Sequence, residues 1–305
     1  MMKIAVEFPS VAFREGPKQV VAVARAIEEI GFDELAVFDH VVMGYPTERR
    51  PAPRYPSNMP VLEALILLGF AAAVTERVSL STEVLVLPQR QPVLVAKQVS
   101  TIDTLSAGRM RLGVGVGWQE AEFEVLQTSF KDRGRRMDEA IEVLRAYWGQ
   151  ERIDRDGPYY PADGIAMDPK PPQGGSLPIW IGGLTDAALR RTGRLGDGWM
   201  GSATGSDEGV VKAMGKIRTY AEQAGRDPSA IGMQLMLAPP PTDAEGKTFY
   251  ADHDRVVRRA EQIAAMGCDW TSVNATAIFQ AGARSVDAMI EQLAKIHGKL
   301  RDALG

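Results

Sequence analysis

The pair Asp39-His40 is the first candidate for chemistry, because it ends an apolar, strand-like run over residues 34–38. In parallel α/β proteins, functional groups gather at the carboxyl ends of the strands. An imidazole in that position could transfer a proton or contact a ligand ring, so His40 is the candidate catalytic residue. Asp39 could instead only cap a loop amide, and the sequence position leaves both interpretations open.

Two glycine-rich turns could bring backbone close to a ligand. The first reads Gly-Val-Gly-Val-Gly over residues 113–117 and is followed by Trp118; the second, Gly182-Gly183, leads through Leu184 and Thr185 into a helix. Glycine lets backbone approach a flat ring or a phosphate, and a helix N-terminus attracts anions. We therefore expect a ligand at both turns and a phosphate at the second. Tight-turn chemistry and a plain cap by Thr185 are the alternatives.

Composition restricts the function classes. The chain has 305 residues and a net charge of −4, so we expect neither nucleic acid nor a membrane as a partner. No apolar run approaches the roughly 20 residues that span a bilayer. No histidine, cysteine or carboxylate spacing suits a metal, and we predict none. The single cysteine, Cys268, and the lack of a signal-peptide pattern predict a cytoplasmic protein.

Strand-like and helical runs alternate along the chain. The predicted strands are 4–8, 34–38, 78–87, 110–114, 178–181, 198–200, 231–238 and 270–275, and the predicted helices are 18–30, 61–74, 93–105, 135–148, 186–195, 208–224, 255–266 and 286–300. This order predicts one α/β domain over residues 1–305, a (β/α)8 TIM barrel, with a doubly wound sheet as the alternative. Residues 41–60, 149–177 and 239–251 are too long for ordinary connections and are predicted insertions in loops. The first and third should lie on the catalytic face.

With these elements in place, the chain resembles the luciferase-like monooxygenase superfamily, and within it the oxidoreductases that depend on the deazaflavin coenzyme F420. The resemblance runs from the N-terminus to about residue 200 and is looser beyond. The motifs that carry it are Asp39-His40-Val41-Val42, Thr82-Glu83-Val84-Leu85-Val86-Leu87-Pro88, Pro92 with Ala96-Lys97, Asp103-x-Leu-Ser-x-Gly-Arg109, Leu112-Gly-Val-Gly-Val-Gly-Trp118, Arg133 with Asp138-Glu139, Pro169-Lys-Pro171, Pro178-Ile-Trp-Ile-Gly-Gly183 and Leu195-Gly-Asp-Gly-Trp199.

The resemblance implies a luciferase-like TIM barrel with a flavin or deazaflavin at the carboxyl ends of its strands. It also implies a cis peptide bond at Glu83–Val84, although relatives often have a small residue where Glu83 stands. The cofactor-binding positions that it implies are Asp39, His40, Glu83, Val84, Gly115, Gly117, Trp118, Gly182, Gly183, Leu184 and Thr185.

The leading functional expectation is hydride transfer between F420 and a small organic substrate, with His40 handling a proton. Sugar-phosphate dehydrogenases of this superfamily have a glutamate as proton donor where this chain has Trp118, so their mechanism does not carry over whole. An FMN-dependent monooxygenase, a cofactor-binding protein without turnover and a phosphate-binding barrel without flavin are the alternatives. The resemblance further implies a homodimer.

Overall fold

Eight parallel strands close into a barrel in this computed structural model, which describes residues 1–12, 16–202, 204–238, 246 and 248–305. The strands are β1 (Lys3–Glu7), β2 (Glu34–Val37), β3 (Ser79–Thr82), β4 (Leu85–Val86), β5 (Met110–Gly115), β6 (Ile153–Arg155), β7 (Ala162–Ile165), β8 (Ile179–Gly182), β9 (Gly198–Gly201), β10 (Gly232–Met236) and β11 (Trp270–Asn274). The order around the barrel is β3-β2-β1-β11-β10-β9-β8-β5, and pairing of β3 with β5 closes it.

Helices surround this barrel and bury its outer face. They are α1 (Pro17–Ile30), α2 (Ala64–Ala72), α3 (Pro92–Leu105), α4 (Glu120–Val125), α5 (Arg133–Gly149), α6 (Asp186–Leu195), α7 (Asp207–Gln223), α8 (His253–Ala265), α9 (Ala275–Gln280) and α10 (Val286–Leu304). Helix α1 illustrates the packing, because its buried residues Val20, Val23 and Ile27 repeat at helical spacing. They join Ile4 and Val6 of β1 in one apolar core between strands and helices.

The predicted (β/α)8 barrel is confirmed, and the doubly wound sheet is wrong because the sheet closes on itself. The predicted third strand over 78–87 is interrupted: β3 and β4 are separate, and the Glu83–Val84 peptide bond between them is cis, as the resemblance implied. The insertion over 149–177 contains the antiparallel hairpin β6–β7, and the sequence analysis missed the short helices α4 and α9. Most of the predicted loop 239–251 lies outside the described residues.

No helix in the described part of the chain has the length and apolar character needed to cross a bilayer.

The barrel interior is polar at its centre. Arg111 of β5 pairs with the carboxylate of Glu34 on β2, and it donates a hydrogen bond of 2.7 Å to Gln234 Oε1 on β10. Its guanidinium lies over the rings of Trp180 and Trp270, 4.1 and 4.4 Å from their centroids. These contacts join strands from opposite sides of the barrel, and all of them depend on one buried cation.

Replacing that cation should destabilise the whole barrel. In Arg111→Leu the Glu34 carboxylate stays buried without its partner, so we expect a loss of about 3–5 kcal/mol in the free energy of unfolding. Urea denaturation followed by circular dichroism measures it. The matched control is Arg152→Leu, because the pair of Arg152 with Asp154 is exposed, and this variant should unfold at the wild-type urea concentration. An Arg111→Leu protein as stable as the control would contradict the central role of this arginine.

Candidate active site

A cavity of about 320 Å3 opens at the carboxyl ends of the barrel strands. Most of the predicted site residues line it, although they come from separate stretches of the chain. Those that do are Asp39, His40, Glu83, Val84, Gly115, Gly117, Trp118, Gly182 and Gly183. Their meeting follows from the closed barrel, which brings the ends of β2, β3, β5 and β8 to one face.

One wall of the cavity is built from Val84 and the glycines that face it. A Cβ atom at Gly115 would lie 2.7 Å from Val84 Cγ2, and one at Gly182 would lie 3.0 Å from Val84 Cγ1. Both distances are too short for ordinary contact, so residues with side chains at these two positions would displace Val84. The result is a wall of one branched side chain and bare backbone, which suits the face of a flat ring.

His40 lies on another wall and is held by Glu122 of α4. The Nδ1 atom of His40 lies 3.0 Å from Glu122 Oε2, and both side chains are buried. Burial raises the pKa of Glu122, but the hydrogen bond to His40, the nearby imidazole charge and the Val41 amide outweigh it and hold the pKa below the usual value. An ionised carboxylate can only accept, so Nδ1–H of His40 donates. The Nε2 atom is the ring nitrogen left for a ligand.

The same helix start also holds the loop that follows His40. Glu122 Oε1 accepts a hydrogen bond of 2.7 Å from the Val41 amide. The side chain of Gln119 accepts from the Gly44 amide and donates to the Val42 carbonyl, each at 2.8 Å. The loop after β2 and the turn after β5 therefore form one unit that carries the imidazole.

Three aromatic rings form the mouth of the cavity beside His40. The rings of His40 and Trp118 meet edge to face with centroids 5.4 Å apart, and Tyr55 lies 5.7 Å from His40 and 6.0 Å from Trp118. Trp118 is 41% exposed, so it is a wall of the cavity and not part of the core. Such a mouth favours an apolar or flat group next to the imidazole.

Asp39 lines the cavity, and both oxygens of its carboxylate are bound by neighbouring groups. Oδ1 is 2.7 Å from Arg90 and Oδ2 accepts a hydrogen bond of 3.0 Å from the Val86 amide. Burial raises the pKa of Asp39, although Arg90 and the Val86 amide oppose the shift. The carboxylate thus ties the end of β2 to β4.

Two predicted residues do not line the cavity. Leu184 is 38% exposed, and the Thr185 hydroxyl accepts a hydrogen bond of 3.3 Å from the Ala188 amide at the start of α6. The structure therefore gives Thr185 the role of a plain helix cap. A phosphate at this helix start remains a prediction.

Two carboxyl groups line the cavity on the side of the barrel interior, that of the half-buried Glu83 and that of the buried Glu7. Glu83 Oε1 accepts hydrogen bonds from Ser272 at 2.8 Å and Gln234 at 3.0 Å. Burial is the main cause that raises the pKa of Glu83 to about 7. Burial and the nearby Glu83 raise the pKa of Glu7, at the end of β1, well above its usual value. Both groups therefore hold protons more tightly than surface carboxyls do.

The sequence analysis missed Glu122, Tyr55 and Glu7 as site residues. Glu122 lies one helical turn after Trp118, but acidic residues are common at a helix start and the pattern looked ordinary. Tyr55 lies in a long loop whose path no sequence pattern predicts. Glu7 could have been found, because it is a charged residue in the last position of a strand that ends at the catalytic face.

The described residues contain no group of three or more histidine, cysteine or acidic side chains placed to hold a metal ion.

Comparison with known proteins places this site in a family. The model of the luciferase-like monooxygenase family matches residues 5–248. An F420-dependent glucose-6-phosphate dehydrogenase of Beutenbergia cavernae is 35% identical over 255 residues, which cover 82% of this chain and 70% of that protein.

Solved structures share the fold at low sequence identity. An F420-dependent secondary alcohol dehydrogenase, solved with an F420–acetone adduct, has a TM-score of 0.77 and 19% identity, with 99% of each chain covered. The oxygenating component of 3,6-diketocamphane monooxygenase from Pseudomonas putida, solved with FMN, has a TM-score of 0.70 and 16% identity, with 96% of this chain and 97% of that one covered. The chain belongs to the luciferase-like monooxygenase family of oxidoreductases.

Proposed function

We propose that this chain binds F420 and transfers a hydride between the deazaflavin and a small organic substrate. The observation that carries the proposal is the cavity in which the His40–Glu122 pair and the Val84–glycine wall face the same space. The relatedness to F420-dependent glucose-6-phosphate dehydrogenases supports the choice of cofactor. This relatedness does not support the same substrate as in those dehydrogenases, because Trp118 stands in the mouth of this site.

The residues of the cavity fit a deazaflavin. Val84, Gly115 and Gly182 would lie against a ring face. The wall is bare backbone beside Val84, because a side chain at either glycine would collide with Val84. Bound there, the deazaflavin supplies the hydride chemistry, and the protein supplies position and electrostatics.

His40 would handle the proton of the substrate. Its Nδ1–H is donated to Glu122, so a neutral imidazole presents Nε2 as an acceptor to a substrate hydroxyl. A positive charge that forms on the ring is then stabilised by the ionised Glu122 carboxylate. In the opposite direction, the charged imidazole returns the proton to a carbonyl oxygen. Glu122 acts through His40 and is a positioning residue.

The mouth of the cavity favours a substrate with an apolar or flat part beside its reacting carbon. Trp118 and Tyr55 present ring surface next to His40, and Val41 and Val42 on the adjoining loop are 40% and 42% exposed. Burial of such surface by a ligand is favourable.

We also propose, from the resemblance, that the chain forms a homodimer in the cytoplasm. The apolar side chains of Ile66 and Phe70 on α2 and of Leu94 and Leu105 on α3 are exposed, and a partner subunit would cover them. The buried thiol of Cys268 is compatible with a reducing compartment.

Cofactor titration tests the proposed function. We expect the purified chain to bind F420 at micromolar or lower concentration and FMN much more weakly, which ring fluorescence at equilibrium measures. FMN is the informative competitor, because one neighbour in fold was solved with it. Tight FMN binding without F420 binding would instead favour an oxygen-dependent monooxygenase.

Removal of the imidazole should separate chemistry from cofactor binding. In His40→Ala we expect kcat with an active substrate to fall by about 10²–10⁴-fold, the usual contribution of general acid–base catalysis. The affinity for F420 should stay within a few-fold of the wild type. Unchanged turnover would remove His40 from the mechanism, and a wild-type chain that binds F420 but turns over no tested alcohol or carbonyl compound would favour a binding protein.

Glu122→Gln should change the tautomer of His40. The carboxamide can donate to Nδ1, which moves the imidazole proton to Nε2 and blocks it as an acceptor. We expect kcat to fall at least about tenfold. The 15N shifts of labelled histidine should report the change of tautomer. Glu124→Gln, two residues along α4, alters only the pair with Arg50 at the surface and should keep both kcat and the tautomer. Wild-type histidine shifts in Glu122→Gln would refute the positioning role.

A further inference from the structure

We propose that Glu83 is a second acid–base group of this site, a neutral carboxyl that gives its proton to the bound deazaflavin while His40 serves the substrate. This inference rests on the proposed function and adds a role for Glu83, to which the proposed function gives none. It starts from a chemical need for two proton positions in one cavity.

The position of Glu83 suits this role. It stands between β3 and β4 and lines the same cavity as His40. Its two carboxyl oxygens differ in their surroundings: Oε1 accepts two hydrogen bonds, whereas Oε2 is buried without a partner among the described residues. An unpaired buried polar atom is unfavourable, so a ligand that pairs with Oε2 gains binding energy.

Hydrogen-bond direction places the proton on Oε2. Arg111 can only donate, so it faces Gln234 Oε1 at 2.7 Å, and the Gln234 amide group must then donate from Nε2 to Glu83 Oε1 at 3.0 Å. The Ser272 hydroxyl donates to the same oxygen. Because Oε1 is occupied as an acceptor, the proton of a neutral Glu83 lies on Oε2, the oxygen that has no partner among the described residues.

The surroundings keep this carboxyl neutral up to about neutral pH. Burial is the largest influence and raises the pKa of Glu83 to about 7. The Ser272 hydrogen bond lowers the pKa, the Glu34 carboxylate raises it, and Arg111 and Gln234 lower it without cancelling the effect of burial. The ionisable groups nearby also include Glu7 of β1, Tyr250 in the turn Phe249–Ala251, and Arg54 and Tyr55 in the loop that lines the cavity.

The other residues of the cavity leave this role open. Trp118, which follows the glycine turn, has no ionisable group, and the carboxylate of Asp39 is engaged by Arg90 and the Val86 amide. His40 is held by Glu122 beside the aromatic mouth. Glu83 and Glu7 are therefore the carboxyl groups of this cavity that have a raised pKa and no ion pair among the described residues, and Glu83 also has a buried oxygen without a hydrogen-bond partner there.

The protons and electrons balance with two residues. When an alcohol is oxidised, its C–H bond breaks and the hydride goes to the deazaflavin, while the hydroxyl proton goes to Nε2 of His40. The hydride brings an electron pair, and the proton of Glu83 would balance its negative charge, so that the charge of the ring is unchanged. The products are a carbonyl compound, the reduced ring, a Glu83 carboxylate and a charged imidazole, with no net change of charge. Reduction of a carbonyl compound reverses each transfer.

The test compares wild type, Glu83→Gln and Glu124→Gln for F420 affinity and turnover across pH. If only neutral Glu83 makes the contact, the wild-type affinity is constant below neutral pH and weakens about tenfold per pH unit above it. Glutamine keeps an N–H donor but cannot give up a proton. Glu83→Gln should therefore bind F420 without this pH dependence and lose about 10²–10⁴-fold in kcat. Glu124→Gln is the control, because its carboxylate lies at the surface, pairs with Arg50 and does not line this cavity, and this variant should keep the pH dependence.

Infrared spectroscopy of the ligand-free protein gives a second, independent measurement. We expect a protonated-carboxyl band that titrates near pH 7 in the wild type and is absent from Glu83→Gln. A missing band, or identical pH profiles and turnover in wild type and Glu83→Gln, would overturn the role of Glu83 and leave F420 binding intact. A wild type that does not bind F420 would contradict the proposed function itself.

Discussion

A single arginine inside the barrel determines how the polar groups around it are oriented. Arg111 has donors and no acceptor, so it must face the carboxylate of Glu34 and the carbonyl end of Gln234. That choice turns the amide end of Gln234 toward Glu83. The stacked rings of Trp180 and Trp270 hold the guanidinium in place. A structural ion pair deep in the barrel thereby decides which oxygen of a cavity residue is free.

The two residues proposed for acid–base chemistry are held by different parts of the fold. His40 depends on a tie between two loops, because Glu122 on α4 binds both the imidazole and the Val41 amide. Glu83 depends on the rigid barrel, through Gln234 and Ser272 on neighbouring strands. Loops move more readily than barrel strands. The loop side of the cavity, which carries His40, can therefore adapt to a ligand, while the strand side, which holds Glu83, stays fixed.

The fold itself does not choose the reaction. Proteins that share this barrel include one solved with an F420 adduct and one solved with FMN, at identities below 20% to this chain. A wall of Val84 and glycine backbone would suit either ring system. The choice of cofactor and reaction must come from polar groups around the ring and from the mouth of the cavity. There this chain has the aromatic rings of Trp118 and Tyr55 and no carboxylic acid at position 118.

The sequence by itself determined the barrel, the order of its strands and most residues at their carboxyl ends. The barrel, Asp39, His40 and the glycine turns follow from local patterns, since apolar periodicity and glycine turns act over a few residues. Glu83 and Val84 were implied only by the family resemblance. The roles of Asp39 and Thr185, which bind Arg90 and cap α6, depended on side-chain direction that no spacing reveals. Glu122 and the free oxygen of Glu83 were decided by tertiary structure alone. Glu122 binds His40, which is 82 residues away in the chain, and Glu83 binds Gln234, which is 151 residues away. Only barrel closure brings these residues together.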